Sequence, residues 1–70
     1  MEACLKYFRL AVADPSSAPP WSEWWAANVG LVERVFPLMD YVRLKHRGLL
    51  GAKQILQNLG ELPPDVPPVG

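Results

Sequence analysis

The chain has 70 residues, and its seven basic and seven acidic side chains cancel to a formal net charge of zero. This length allows one domain, in which a hydrophobic core contributes only about 3 to 5 kcal/mol unless something else adds to it. The single cysteine and single histidine exclude an internal disulfide and a zinc site built from four such ligands. A neutral chain also has no global field to draw it onto nucleic acid or an anionic membrane.

The N-terminal segment has the apolar spacing of a short amphipathic helix, which we predict over residues 2–13. Ala11-Val12-Ala13 has the A-x-A form of a signal-peptidase site, but Lys6 and Arg9 interrupt the apolar stretch that a signal peptide requires. No apolar run approaches the ~20 residues needed to cross a bilayer, so we expect a cytoplasmic protein. Because Lys6 and Arg9 share the polar side, a peripheral membrane helix is a third functional hypothesis, to be tested by liposome co-sedimentation.

The prolines between Asp14 and Pro20 end this helix and predict an extended connection. Ser22 is a favoured N-cap residue and Glu23 suits the first turn, so we predict that helix 2 begins at Ser22. Its apolar residues then share an arc of about 160° in a helical projection. They are Trp24, Trp25, Val29, Leu31, Val32, Val35 and Phe36, with Trp21 added only if the helical path extends back to it.

Asn28 is the one polar residue inside this arc. A buried amide needs a hydrogen-bond partner, and we expect an intramolecular one, such as Tyr7 or Tyr41. The alternative is a residue that sets the register of an oligomeric helical interface.

Pro37 predicts a sharp joint, and an apolar pattern then runs from Leu38 to Leu59 as helix 3. In a straight helix Lys45 would lie on the apolar face, and Gly48 interrupts the pattern, so a bend near Gly48 is favoured. Gly60 has the position of a left-handed C-terminal cap. These elements predict an all-α fold, a small three-helix bundle with its third helix broken or bent near Gly48.

Residues 61–70 contain four prolines and no helical or strand pattern. We therefore predict a single helical domain over 1–60 and a flexible, disordered Pro-rich tail over 61–70. Pro64-Asp65-Val66-Pro67 matches the P-x-x-P pattern of polyproline ligands, but no basic residue flanks it, and a bare disordered terminus is the favoured explanation.

Three tryptophans fall within five residues, and two interpretations of them stay open. Large aromatic residues at helical spacing commonly form a core. However, each aromatic side chain buries roughly 150 to 250 Å², whereas helix 1 offers mainly Leu5, Phe8, Cys4 and alanines. An indole without sufficient cover would be exposed, and exposed tryptophan is a common binding hot spot.

The leading functional hypothesis is therefore a non-catalytic protein-interaction module whose partner is another protein or a second copy of the chain. Its predicted binding residues are Trp21, Trp24 and Trp25, with Leu31 and Phe36 behind them. On the projection, Trp25 is the candidate for the core, and Trp24 and Trp21 are the candidates for an exposed surface.

Nucleic-acid binding is the alternative hypothesis. A continuous helix 3 would place Arg43, His46, Arg47 and Lys53 on one solvent-facing side, as phosphate binding requires. The competing explanation is that cations just before Gly48 offset the dipole at a helix C-terminus. No helix-turn-helix or zinc-finger signature supports the alternative.

The sequence contains no recognisable catalytic constellation. His46 is the only plausible general base, and Cys4 lies among apolar residues without a neighbouring base. No phosphate-binding loop is present either. We predict no enzymatic activity, no cofactor and no metal.

Overall fold

The computed structural model describes residues 1–65, and within that range the chain is all-α, as predicted. Its helices are α1 (Glu2–Ala13), α2 (Trp21–Val35), α3 (Leu38–Arg47) and α4 (Leu49–Asn58), with one 3-10 turn over Pro15–Ser17. Predicted helix 3 is therefore two helices, and the expected break at Gly48 is confirmed. The end of the predicted tail, residues 66–70, and with it half of the P-x-x-P segment, lies outside the described residues.

The connection from α1 to α2 is held by local hydrogen bonds. The Asp14 carboxylate accepts bonds from the hydroxyls of Ser17 and Ser16 at 2.6 and 2.8 Å. These two bonds favour the charged form and lower the pKa of Asp14. Further along, the Tyr7 hydroxyl donates to the Pro19 carbonyl at 2.7 Å. The predicted extended connection is wrong for Pro15–Ser17, which form the 3-10 turn, and the chain is extended at Ala18. The bond to Pro19 fastens the connection to the side of α1.

Helix α2 begins at Trp21, and the predicted N-cap at Ser22 is wrong. The Pro20 carbonyl accepts the backbone N–H groups of Glu23 and Trp24, both at 3.1 Å. Pro20 precedes the helix in an extended conformation, at φ −56° and ψ 146°, so no serine cap is needed. Trp21 therefore lies in the first turn and belongs to the apolar arc of α2.

The joint between α2 and α3 follows the prediction from Pro37. Phe36 is extended, at φ −108° and ψ 147°, and Pro37 serves as the residue before α3. The Pro37 carbonyl accepts the N–H groups of Asp40 and Tyr41 at 3.0 Å. Because the Phe36 side chain is buried, this joint is anchored in the core.

A single residue, Gly48, links α3 to α4. Its φ of 57° and ψ of −130° lie in a region that side chains disfavour. Gly51, the third residue of α4, brings the two helices close, since a Cβ there would lie 2.5 Å from the Arg43 carbonyl oxygen. Gly48 therefore provides the turn, and Gly51 allows the close contact between the two helices.

Gly60 ends α4 as a left-handed cap, at φ 80°. The Glu61 N–H donates to the Leu56 carbonyl at 2.9 Å, which is the long bond of a Schellman motif. The cap predicted from the sequence is confirmed, and it directs the following residues back toward α1.

Residues 61–65 are non-helical and contact the helices. Arg9 bonds the Glu61 carboxylate at 2.5 and 3.1 Å and the Glu2 carboxylate at 2.6 Å. The bond from Arg9 lowers the pKa of Glu61. Gln57 donates to the Pro63 carbonyl at 3.2 Å. This segment thus follows the surface of α1 and α4.

The core draws on all four helices and has no buried polar or charged residue among those described. Its buried members are Cys4, Leu5, Tyr7, Phe8, Ala11, Trp24, Val32, Phe36, Leu44, Ala52, Ile55 and Leu56.

Two helical glycines give a matched test of the α3–α4 contact. We expect Gly51→Ala to lower the free energy of unfolding by about 1 to 3 kcal/mol, because the new methyl group meets the α3 backbone. Gly30→Ala places the same methyl group in open space on α2 and should raise the free energy of unfolding by about 0.5 to 1 kcal/mol. Urea titrations measure both; equal effects at the two positions would contradict the close approach.

Candidate interaction surface

The three tryptophans form one aromatic cluster that joins α1, α2 and α3. Trp24 stacks on Tyr7, with ring centroids 4.5 Å apart and planes 1° from parallel. Trp21 stacks on Trp25 at 5.7 Å, and Trp25 lies 5.8 Å from Tyr41 of α3. Offset and tilted pairs of this kind stabilise a fold beyond the area they bury.

Trp24 is buried, so its prediction as an exposed binding residue is wrong. Only 9% of its surface is exposed, because Tyr7 covers one face and Phe8 meets it at 5.3 Å and 68°. Tyr7 is absent from the residues of helix 1 that were expected to cover the indoles. The spacing could have identified it, since Tyr7 follows Cys4 by three residues and precedes Ala11 by four.

Trp25, predicted as the core indole, is only partly buried, and so is Trp21. Trp25 lies between Trp21 and Tyr41 at the edge of the cluster. Trp21 lies against the α3–α4 turn, where a Cβ on Gly48 would be 3.3 Å from the indole Nε1. Trp24 is therefore more deeply buried than Trp25, which is the reverse of the prediction.

The remaining members of the predicted binding set also pack inward. Phe36 is 6% exposed, and Leu31 is half-buried against the core. Asn28 makes an intramolecular bond, as favoured, but its amide donates to the Trp24 carbonyl at 2.9 Å and not to Tyr7 or Tyr41. The apolar arc of α2 is mainly a structural face.

The most exposed large apolar side chains lie on α3. Leu38 and Met39 are 74% and 75% exposed, and Val42, one turn further on, is 41% exposed. We call these three residues the α3 strip. In a continuous helix from Leu38 to Leu59, the apolar pattern predicts that Leu38 and Val42 lie on the inner face. Because the chain turns at Gly48, α3 instead buries Leu44 and directs the strip outward.

Grooves border the α3 strip on both sides. The groove toward α2 is lined by Glu33, Phe36, Leu38 and Tyr41. The groove toward α4 has a volume of about 480 Å³ and is lined by Met39, Val42, Arg43, His46, Arg47, Gln54, Gln57 and Asn58. The apolar strip is therefore a ridge between an acid-bordered groove and a basic, amide-rich groove.

The predicted basic stripe does not extend over all four residues. Arg43, His46 and Arg47 line the groove toward α4, and Arg43 pairs with Asp40 at 3.1 Å. Lys53 lies in a different groove, beside α1, and pairs with Asp65 at 3.3 Å. The expectation that all four share one side is wrong for Lys53, because it assumed a continuous helix through Gly48.

Within the described residues, neither Cys4 nor a cluster of metal-ligating side chains indicates a reactive or metal-binding site. Cys4 is 1% exposed, and burial raises the pKa of its thiol, which disfavours the reactive thiolate. Residues 1–65 contain no group of three His, Cys, Asp or Glu side chains placed to hold a metal ion. Among the same residues, no helix is both long and apolar enough to cross a membrane.

A substitution at Trp24 tests whether its indole belongs to the core or to a binding surface. We expect Trp24→Ala to cost about 3 to 5 kcal/mol, since it opens a cavity against Tyr7 and Phe8. That loss is similar to the whole stability of a core of this size, so the helical circular-dichroism signal should fall and the thermal transition broaden or vanish.

Trp24→Phe keeps a ring at the stacking position and should melt at an intermediate temperature. A Trp24→Ala variant that keeps the wild-type thermal transition would show that the indole is not part of the core.

Comparisons with known proteins give no match for this chain: no family model fits it, and neither a curated protein nor a solved structure is significantly similar to it.

Proposed function

We propose that this chain is a non-catalytic protein-interaction module and that it binds through the α3 strip, with the tryptophans as the support beneath it. The observation that carries the proposal is the exposure of Leu38 and Met39, at 74% and 75%. Burying such a side chain in an interface contributes roughly 1.5 to 3 kcal/mol. Leu38 and Met39 are adjacent on one helix, so a partner that buries both side chains forms a complex stabilised by their burial.

The shape of this surface suits a helix. Met39 and Val42 are three residues apart and Leu38 and Val42 are four apart, which is the spacing of one helical face. A partner helix lying along the ridge would place its own side chains in the two bordering grooves. This is helix-on-helix packing, in which side-chain ridges of one helix enter grooves beside the other, with apolar anchors in the middle and polar residues at the rim.

The aromatic cluster supports the strip from below. Trp25 contacts Tyr41, which lies on α3 between the exposed residues, and Phe36 lies at the base of the groove toward α2. Because α3 is already packed against the aromatic cluster, it loses little conformational freedom on binding a partner. This small entropy cost favours affinity. The tryptophans predicted as contact residues therefore act in this proposal by positioning α3. The cytoplasmic location expected from the sequence remains a prediction.

Photo-crosslinking at a single position tests the surface directly. We expect p-benzoylphenylalanine in place of Met39 to give discrete crosslinked products, because Met39 is the most exposed residue of the strip. The same residue in place of Ala27, which is exposed on α2, is the matched control and should give few. Products are identified by gel mobility and mass spectrometry. Equal yields at the two positions, or none at position 39, would count against the proposal.

Nucleic-acid binding is the second candidate, because Arg43, His46 and Arg47 share one groove with three side-chain amides. It predicts retention on heparin that falls steeply with salt, and reduced retention for Arg43→Ala with Arg47→Ala. Lys53→Ala is the internal control, since Lys53 lies in another groove. No retention of the wild type at low salt would eliminate this candidate.

A further inference from the structure

We propose that the occupant of the α3 strip is a second copy of this chain, bound with its α3 antiparallel to the first. This inference rests on the proposed function, since it names the partner for the same surface. The chain itself carries the charges and apolar residues that such a contact requires.

Charge changes sign along the exposed side of α3. Glu33, at the end of α2, lines the groove beside Leu38 and therefore lies near the start of α3. At the opposite end, Lys45 is exposed and follows Leu38 by seven residues, which places it on the same side of the helix. The surface is thus acidic at one end, apolar in the middle and basic at the other end.

An antiparallel pair of such surfaces is complementary to itself. If the two Val42 side chains meet at a two-fold axis, the Leu38 and Met39 side chains of both copies pack around them. Leu38 lies four residues before Val42 and Lys45 three residues after it, so the antiparallel pair brings Lys45 of one copy beside Leu38 and the neighbouring Glu33 of the other. Glu33 of each copy is therefore placed opposite Lys45 of the other, which gives two symmetric ion pairs of an isologous interface.

Other arrangements of the same surface are less favourable. A parallel pair would bring the Lys45 and Arg47 side chains of both copies together, and like charges would repel. Among residues 1–65, Glu33 and Lys45 take part in none of the ion pairs, so both remain available to a second copy. The zero net charge means that no long-range repulsion opposes association.

Single charge reversals and their mixture test this arrangement. We expect the wild type to associate reversibly in sedimentation velocity between low micromolar and millimolar concentration. Glu33→Lys and Lys45→Glu should each weaken dimerisation by about tenfold or more, because each places like charges opposite each other at both symmetric contacts. Mixing the two variants should restore association, since one heterodimer contact then pairs Lys with Glu and the other pairs the native residues.

Glu23→Lys is the matched control, because it reverses an exposed acidic residue on α2 away from α3 and should leave dimerisation unchanged. Circular dichroism confirms that each variant is folded. A wild type that stays monomeric at millimolar concentration would overturn the inference, as would single variants that dimerise normally or a mixture that shows no recovery.

The failure of this inference is distinguishable from failure of the proposed function. Crosslinks from position 39 to a different protein, with a monomeric wild type, would reject the dimer and leave the interaction surface in place. Crosslinks to a second copy that Glu33→Lys abolishes would support both. The absence of any position-specific crosslink would reject both.

Discussion

The stacking of Tyr7 on Trp24 is the contact on which the arrangement of the helices depends. The backbones of α1 and α4 approach each other closely, as do those of α3 and α4, but α2 has few close backbone approaches to the rest of the chain. Large aromatic rings fill the space between α2 and the other helices. Among these rings, the Tyr7–Trp24 stack joins α2 to α1. Trp21, which also lies near Tyr7 and Phe8, and the buried Val32 and Phe36 complete the attachment of α2.

This dependence explains why tryptophans concentrate at the start of α2. A domain this small cannot bury enough aliphatic surface to stabilise several helices, so a few large side chains supply much of its interior. Their position also determines where α3 lies, since Trp25 contacts Tyr41. The exposed Leu38 and Met39 are thus a consequence of the same packing. Helix α3 is held by Tyr41 and Leu44 on one side, and nothing in the described chain covers the other side.

Features set by local physics could be predicted from the sequence. Proline and glycine positions gave the joint at Pro37, the break at Gly48 and the cap at Gly60, because these residues restrict or permit backbone angles whatever surrounds them. The interaction surface could not be predicted in the same way. Which indole is buried depends on the neighbouring helix, and the helical projection of α2 contains no information about Tyr7. Likewise, the outward face of α3 and the separation of Lys53 from Arg43 follow from the direction of the chain after Gly48.

The one-residue turn at Gly48 also has a consequence for how the chain folds. Helices α3 and α4 are neighbours in sequence, so their contact closes a very short loop and loses little chain entropy. The Tyr7–Trp24 stack joins residues much further apart and closes a longer loop. We therefore expect the α3–α4 hairpin to form early and the aromatic cluster to form late. Changes at Gly48 would then act mainly on the rate of folding, whereas changes at Trp24 would act mainly on the rate of unfolding.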